Sequence, residues 1–311
     1  MPFPDWFHEL ARSVNNWGRW GTDDQIGTIN LIDSDATRRG ASCVRQGRSL
    51  SLALPLSESE GIQIGVMPGR LNPTRTMSLI NMALTGDPSM FCTSDDLVVM
   101  GLQAATHWDG LAHVSYDGRL YNGFPASSIT SFGAGNCGIH HIRSIVTRGV
   151  LLDVARAKGV DRLDGGYAIT GDDLDEAAEV AKVTVQAGDV VLVRTGQMQY
   201  LRQSVPDKMA YATSAAGPST KSVQWFRDHD VAAVATDNLA FEVFPCEFDD
   251  AFLPIHPLHL VEMGLTQGQN FQLEDLSADC ADDGVYEFLF EGSPEPFVNG
   301  LGSPVNPIVV K

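Results

Sequence analysis

Four side chains with lone pairs fall within eleven residues of this chain, in Gln103-Ala-Ala-Thr-His107-Trp-Asp109-Gly-Leu-Ala-His113. His107 and Asp109 are two apart, so an extended backbone points both to one side. Gln103 and His113 reach the same point if the flanking chain turns. Imidazole nitrogen plus carboxylate oxygen, without thiolate, is a donor set for a divalent metal, Zn²⁺ or Mn²⁺. A cation held there would acidify water and polarise a carbonyl. Hydrolysis of an amide, imide or lactone is therefore the chemistry to expect, with His113 as general base because imidazole titrates near neutral pH. The competing reading makes His107 an ordinary hydrogen-bonded core residue. The adjacent His140 and His141 are read as structural.

The elements that must position this segment are partly visible. Leu97–Leu102 is apolar and leads directly into it. Residues 48–56, RSLSLALPL, alternate as a strand does. Residues 58–95 are rich in Gly, Pro and Met and read as long loops, which in compact domains are often lids or binding loops. Short buried strands are expected at 148–154, 190–193, 231–235, 286–290 and 307–310. Thr170 with Asp173 makes a capping-box start for an amphipathic helix, and Pro218-Ser219 opens a second helix to about His229. Strands and helices alternate only between about 148 and 236, with β-rich flanks. This predicts an α/β fold with a mixed, curved, barrel-like sheet and flanking helices, not a doubly wound one. No G-x-G-x-x-G follows a strand, which argues against a nicotinamide fold. With no linker and no internal repeat, residues 1–311 read as one domain.

Composition removes other classes. The chain carries 39 acidic and 21 basic residues, net charge −18. Nucleic-acid binding needs Lys and Arg to displace counterions, so nucleic acid and anionic membrane are excluded as partners and a small-molecule substrate is expected. Five widely spaced cysteines without a CxxC make neither a disulfide framework nor a thiolate zinc site. The first residues show no basic-then-apolar signal, and no apolar run approaches the roughly 18 residues of a membrane span. A cytoplasmic protein is the expectation.

The segment resembles the cyclase superfamily that includes bacterial kynurenine formamidase and isatin hydrolase, whose motif is H-x-G-T-H-x-D-x-P-x-H. Thr106, His107, Asp109 and His113 match it at the same spacing. GTINLI (27–32), GVLLDVARAKGV (149–160), GDVVLVRTG (188–196), YEFLF (286–290) and GSPVNPI (302–308) also look like long members of the family. The resemblance implies a swivelling β/β/α fold. It implies a divalent metal held by the first two motif histidines and the Asp, and the last motif His as second-site ligand or base. It implies a second site completed by a downstream His and a Glu about a dozen residues later. His256 matches the downstream His, with His259 as its rival.

Gln103 stands at the first motif His, Gln269 at the expected Glu, Ala105 at the motif Gly and Leu111 at the motif Pro. Amide oxygens are weaker donors, and Gln269 removes a charge that would offset a second dication. One ion rather than two is expected, on His107 and Asp109 with Gln103 or His256 completing the set. Trp20, Trp108, Tyr121 and Phe124 cluster near the motif and are candidates to stack on a flat substrate ring, or else to fill the core. Asp237 and Glu242 are candidates to hold a histidine tautomer. Family members are commonly dimers or tetramers, so a homodimer or homotetramer is implied. The rival readings are a catalytically silent binder and a metal-independent lyase or cyclase using His113 and His256 as acid and base. A nucleophilic Cys137 or Cys246 is the weakest, since neither has a recognisable His partner.

Overall fold

Val190–Arg194 and Ala233–Thr236 are buried along their whole length, as strands covered on both faces must be. In the computed structural model, which describes residues 2–311, they lie in the middle of a nine-stranded sheet. Its order is Ser49–Ser51, Ile308–Val310, Glu287–Glu291, Val146–Asp153, Val190–Arg194, Ala233–Thr236, Thr266–Gln269, His107–Asp109, Gly302–Pro304. The four strands from Val146–Asp153 to Thr266–Gln269 run parallel. Those outside them pair antiparallel. The sheet curls into a half-barrel with helices against it, which is the mixed, curved α/β architecture expected from sequence.

The period-two alternation of the strands divides the core into two layers. Val150, Leu152, Val191, Val193 and Val234 face one side, in the same cluster as Phe7, Leu174 and Phe226. Those three come from helices Asp5–Val14, Gly171–Ala181 and Val223–Asp228. Leu151, Val190, Leu192, Ala233 and Ala235 face the other side, with Leu276 and Cys280 of helix Glu274–Asp283. Helix Gly171–Ala181 opens on the expected capping box, in which Asp173 accepts from the Thr170 N–H at 2.8 Å while Thr170 Oγ1 accepts from the Asp173 N–H. The helix expected from Pro218 to His229 is shorter. Pro218 pairs with Ile169 as a strand residue, a 3₁₀ turn spans Thr220–Ser222, and the α-helix is Val223–Asp228.

One expectation needs correction. Most of residues 58–95 were expected to be loop, but Thr74–Ala83 and Cys92–Val99 form a long antiparallel hairpin, and the apolar run from Leu97 begins at its end. Two register shifts, between Met77 and Leu79 and between Leu79 and Met82, break the alternation. Both faces are solvent-exposed, so no burial pattern of period two exists to be read. Ile80, Met82, Leu84, Met90 and Phe91 are exposed along it. No helix among the described residues is long and apolar enough to cross a membrane.

Candidate active site

The strand His107–Asp109 lies between Thr266–Gln269 and Gly302–Pro304. Its middle residue decides which way the others point. Trp108 is fully buried in the second core layer, edge-on to Phe271, and its indole N–H donates to Gly292 O at 2.7 Å. Gly268, opposite it, has no room for a side chain, because a Cβ there would meet Phe271 at 2.6 Å and Trp108 at 2.8 Å. Alternation then turns His107, Asp109 and Gln269 together to the other face.

On that face the side chains converge. His107 Nδ1 is 2.8 Å from Ala105 O. A carbonyl only accepts, so Nδ1 carries the proton and Nε2 keeps its lone pair. His107 Nε2 is 3.4 Å from Asp109 Oδ1, and His113 Nε2 is 3.6 Å from the same oxygen. A turn closed by the His113 N–H on Gly110 O brings His113 back. The Gln269 amide donates to Asp109 Oδ2 at 2.6 Å and lies 3.4 Å from His256 Nε2. His256 Nδ1 donates to Glu242 Oε1 at 2.5 Å, and Glu242 also accepts from the backbone N–H groups of Ile255 and His256. Glu242 thus fixes the ring and its tautomer, leaving the Nε2 lone pair aimed at Gln269.

Burial alone would raise the Asp109 carboxyl, but the imidazoles of His113, His107 and His256 outweigh it and hold the group well below the usual carboxylate range. Burial pulls the His113 imidazole down, and attraction to Asp109 offsets only part of this. Arg70 feels the same centre: burial lowers its guanidinium pKa while Asp109 opposes the shift.

His107 Nε2, Asp109 Oδ1 and Gln269 Oε1 are buried without a hydrogen-bond partner. Three acceptor atoms left unpaired in one place are costly unless a cation or solvent meets them. Donors of a tetrahedral zinc at about 2.0–2.1 Å stand about 3.4 Å apart, the separation of His107 Nε2 from Asp109 Oδ1. Among the described residues, no group of three or more His, Cys, Asp or Glu is arranged to hold a metal ion. The Gln269 amide oxygen is a donor outside that set. The unpaired atoms of His107, Asp109 and Gln269 are the donors a divalent cation would find here. Between Asp109 Oδ2 and His256 Nε2 the structure places the Gln269 amide nitrogen, a hydrogen-bond donor.

Other sequence candidates lie elsewhere. Gln103 has its amide nitrogen against Gly302, where an added Cβ would meet it at 2.7 Å, and it joins none of the contacts above. His259 is fully buried, edge-on to Phe226 and Phe241, and it is His256 that stands against Gln269. All four aromatic candidates fall outside the cavity. Trp108 is core. The Tyr121 hydroxyl donates to Asp24 at 2.9 Å, and its ring packs with a core cluster that Phe124 covers. Trp20 lies under the Arg19 guanidinium at 4.8 Å. Trp108, Tyr121 and Phe124 thus belong to core packing. Asp237 accepts from Thr195 and Gly196 and holds that loop, and burial raises its carboxyl to about 6. The His140 ring lies tilted against His141 at 4.2 Å, and His140 accepts from the Asn299 N–H.

The cavity beside His256 and Gln269 has a volume of about 170 Å³, walled by Met67, Leu239, Phe244, Phe252 and Leu253, with Arg70 at one side. Sequence reasoning missed these residues. The one available signal was the reading of the stretch before the motif as a binding loop, which includes Met67 and Arg70.

Residues 17–243 match the family described as "Putative cyclase", and the chain belongs to that family. It is similar to a solved structure described as a novel cyclase, at 35% identity and TM-score 0.87, over 97% of this chain and 99% of that one. It shares its fold with isatin hydrolase A from Labrenzia aggregata (15% identity, TM-score 0.60, 86% and 94% covered). It does so too with isatin hydrolase A from Ralstonia solanacearum (17% identity, TM-score 0.60, 84% and 91% covered). No protein of curated function matches the chain.

Proposed function

We propose that this chain is a hydrolase that opens or cleaves an amide, imide or lactone of a small cyclic or aromatic substrate, using one divalent cation, Zn²⁺ or Mn²⁺. The observation that carries the reading is the group of partnerless buried acceptors on His107, Asp109 and Gln269. The family and the fold shared with isatin hydrolases support it. His107 Nε2 and Asp109 Oδ1 would hold the cation, with Gln269 Oε1 adjacent. A cation there acidifies water and polarises the substrate carbonyl.

His113 is the base. Its side chain is 21% exposed, against 0% for His107 and 8% for His256, so it alone of the three exchanges protons readily with solvent. It takes a proton from the attacking water and returns it to the leaving nitrogen or oxygen, while the water oxygen forms the new bond to carbon and the carbon–nitrogen or carbon–oxygen bond breaks. His256, held by Glu242, and Gln269 form the wall beside it. The His113→Gln variant tests the assignment on a panel of formamides, cyclic imides and lactones. Turnover should fall by about 10²–10⁴-fold with metal content unchanged. Unchanged turnover would remove His113 from the mechanism, and wild-type turnover that survives a strong chelator would favour His113 and His256 as a metal-independent acid–base pair.

The hairpin Thr74–Ala83/Cys92–Val99 supports a homodimer. A two-stranded hairpin with neither face covered is marginal in water, and this one exposes Ile80, Met82 and Phe91. Sedimentation should show a dimer or a higher even oligomer. Aspartate at positions 80 and 91 should shift it to monomer, and a wild-type monomer at micromolar concentration would refute the assembly.

A further inference from the structure

We propose that the substrate carries a carboxylate, and that Arg70 binds it at the wall of the cavity beside His256 and Gln269. The inference rests on the reading of that cavity as the reaction site, and it goes further by naming what the substrate must look like.

Three observations carry it. The first is size. A cavity of about 170 Å³ is below the usual range of about 300–1,000 Å³ for small-molecule sites, so it suits one ring with short substituents. The second is polarity. Leu239, Phe244, Phe252 and Leu253 give it apolar walls, and Arg70 is the only Lys or Arg that lines it. The third is that Arg70 has no protein partner. Its guanidinium makes no side-chain hydrogen bond and no ion pair with any described residue, although the residue is only partly exposed. Asp109, its nearest attraction, is already engaged by Gln269 and flanked by His107 and His113.

A guanidinium on the cavity wall with no protein partner is free to pair with a ligand, and its planar fork matches a carboxylate in two parallel hydrogen bonds. In a chain of net charge −18, which repels anions at long range, a lone cation on the cavity wall is the local feature that admits one. The Arg70 N–H donates to Met67 O at 3.4 Å, closing a turn whose two ends line the same wall.

Calorimetric titration with phenylacetate and with its neutral isostere phenylacetamide tests this, on protein as purified and again in excess EDTA. Wild type should bind the acid at least about tenfold tighter than the amide in both conditions, the size of a charged hydrogen-bonded pair. Arg70→Gln should erase that preference by weakening phenylacetate alone, and Arg70→Lys should retain part of it. An unchanged melting temperature would show that the loop is intact. Equal affinity for acid and amide, no binding of the acid by wild type, or an unchanged acid affinity in Arg70→Gln would each overturn the proposal. A preference that disappears with EDTA overturns it too, because the cation and not Arg70 would then hold the carboxylate. No arm requires turnover, so failure of the hydrolase reading and failure of this one are separate results.

Discussion

Replacing Asp109 by Asn is expected to strip the protein of its cation and lower turnover by about 10³-fold or more, while leaving the fold in place. Asp109 is the centre of the site. Its Oδ1 is the common neighbour of His107 Nε2 and His113 Nε2, and its Oδ2 takes the Gln269 amide. The amide of Asn has nearly the same shape. Its oxygen can still accept from Gln269, so the strand pairing of Asp109 with Gln267 and Gly302 has no reason to change. What disappears is the negative charge that draws a dication into a buried place. Elemental analysis of the purified variant should show less than a tenth of the wild-type metal, and its circular-dichroism melt should lie close to that of wild type stripped of metal. A variant that keeps its metal would show that the cation rests on other donors. One that unfolds would show that the carboxylate is structural.

The sequence was informative where local rules dominate. The His107–Asp109 alternation, the Thr170–Asp173 capping box and the continuous apolar runs at 148–154 and 190–193 each follow from backbone period or cap chemistry, and each lies where expected. His256 was reachable only through family resemblance, because 147 residues of chain separate it from Asp109. Glu242 could be named as a candidate to hold a tautomer, but its partner could not. The aromatic candidates lie off the cavity, Trp108 for a physical reason. Trp108 alternates with two site residues, so it must face away from them, and a rule based on nearness in sequence cannot see that.

The cavity walls were illegible for another reason. Met67 and Arg70 sit in a turn, and Leu239, Phe244, Phe252 and Leu253 in a largely irregular stretch after Ala233–Thr236. Neither segment has a period from which a facing direction could be derived. The hairpin was hidden by its bulges. Gln103 illustrates the limit of motif alignment. It occupies the register of a metal-binding histidine, yet its amide packs against Gly302. Gly302 is the strand partner of Asp109, so Gln103 stands close by without hydrogen-bonding to the carboxylate.

Gln269 behaves differently, and its reversal is the second large effect. Its amide nitrogen stands 2.6 Å from Asp109 Oδ2 and 3.4 Å from His256 Nε2, so a donor occupies the place where a second dication would need two acceptors. In Gln269→Glu the donor becomes an acceptor. Two carboxylates would then face each other across a hydrogen-bond distance in a buried site, and one must take a proton or meet a cation. Without metal, the variant should lose about 3–5 kcal/mol of stability at neutral pH, the range for an uncompensated buried charge. The pair's folded pKa is raised above its unfolded value, so this cost is absent at low pH and grows as pH rises through the raised pKa. Zn²⁺ or Mn²⁺ should restore the melting temperature in proportion to free metal, and bound metal should rise from one ion per chain to two. Wild type should remain at one throughout, because no added metal converts an amide N–H into a lone pair. Equal stoichiometry in the two proteins, or a metal-free variant as stable as wild type, would mean that Gln269 does not set the metal count.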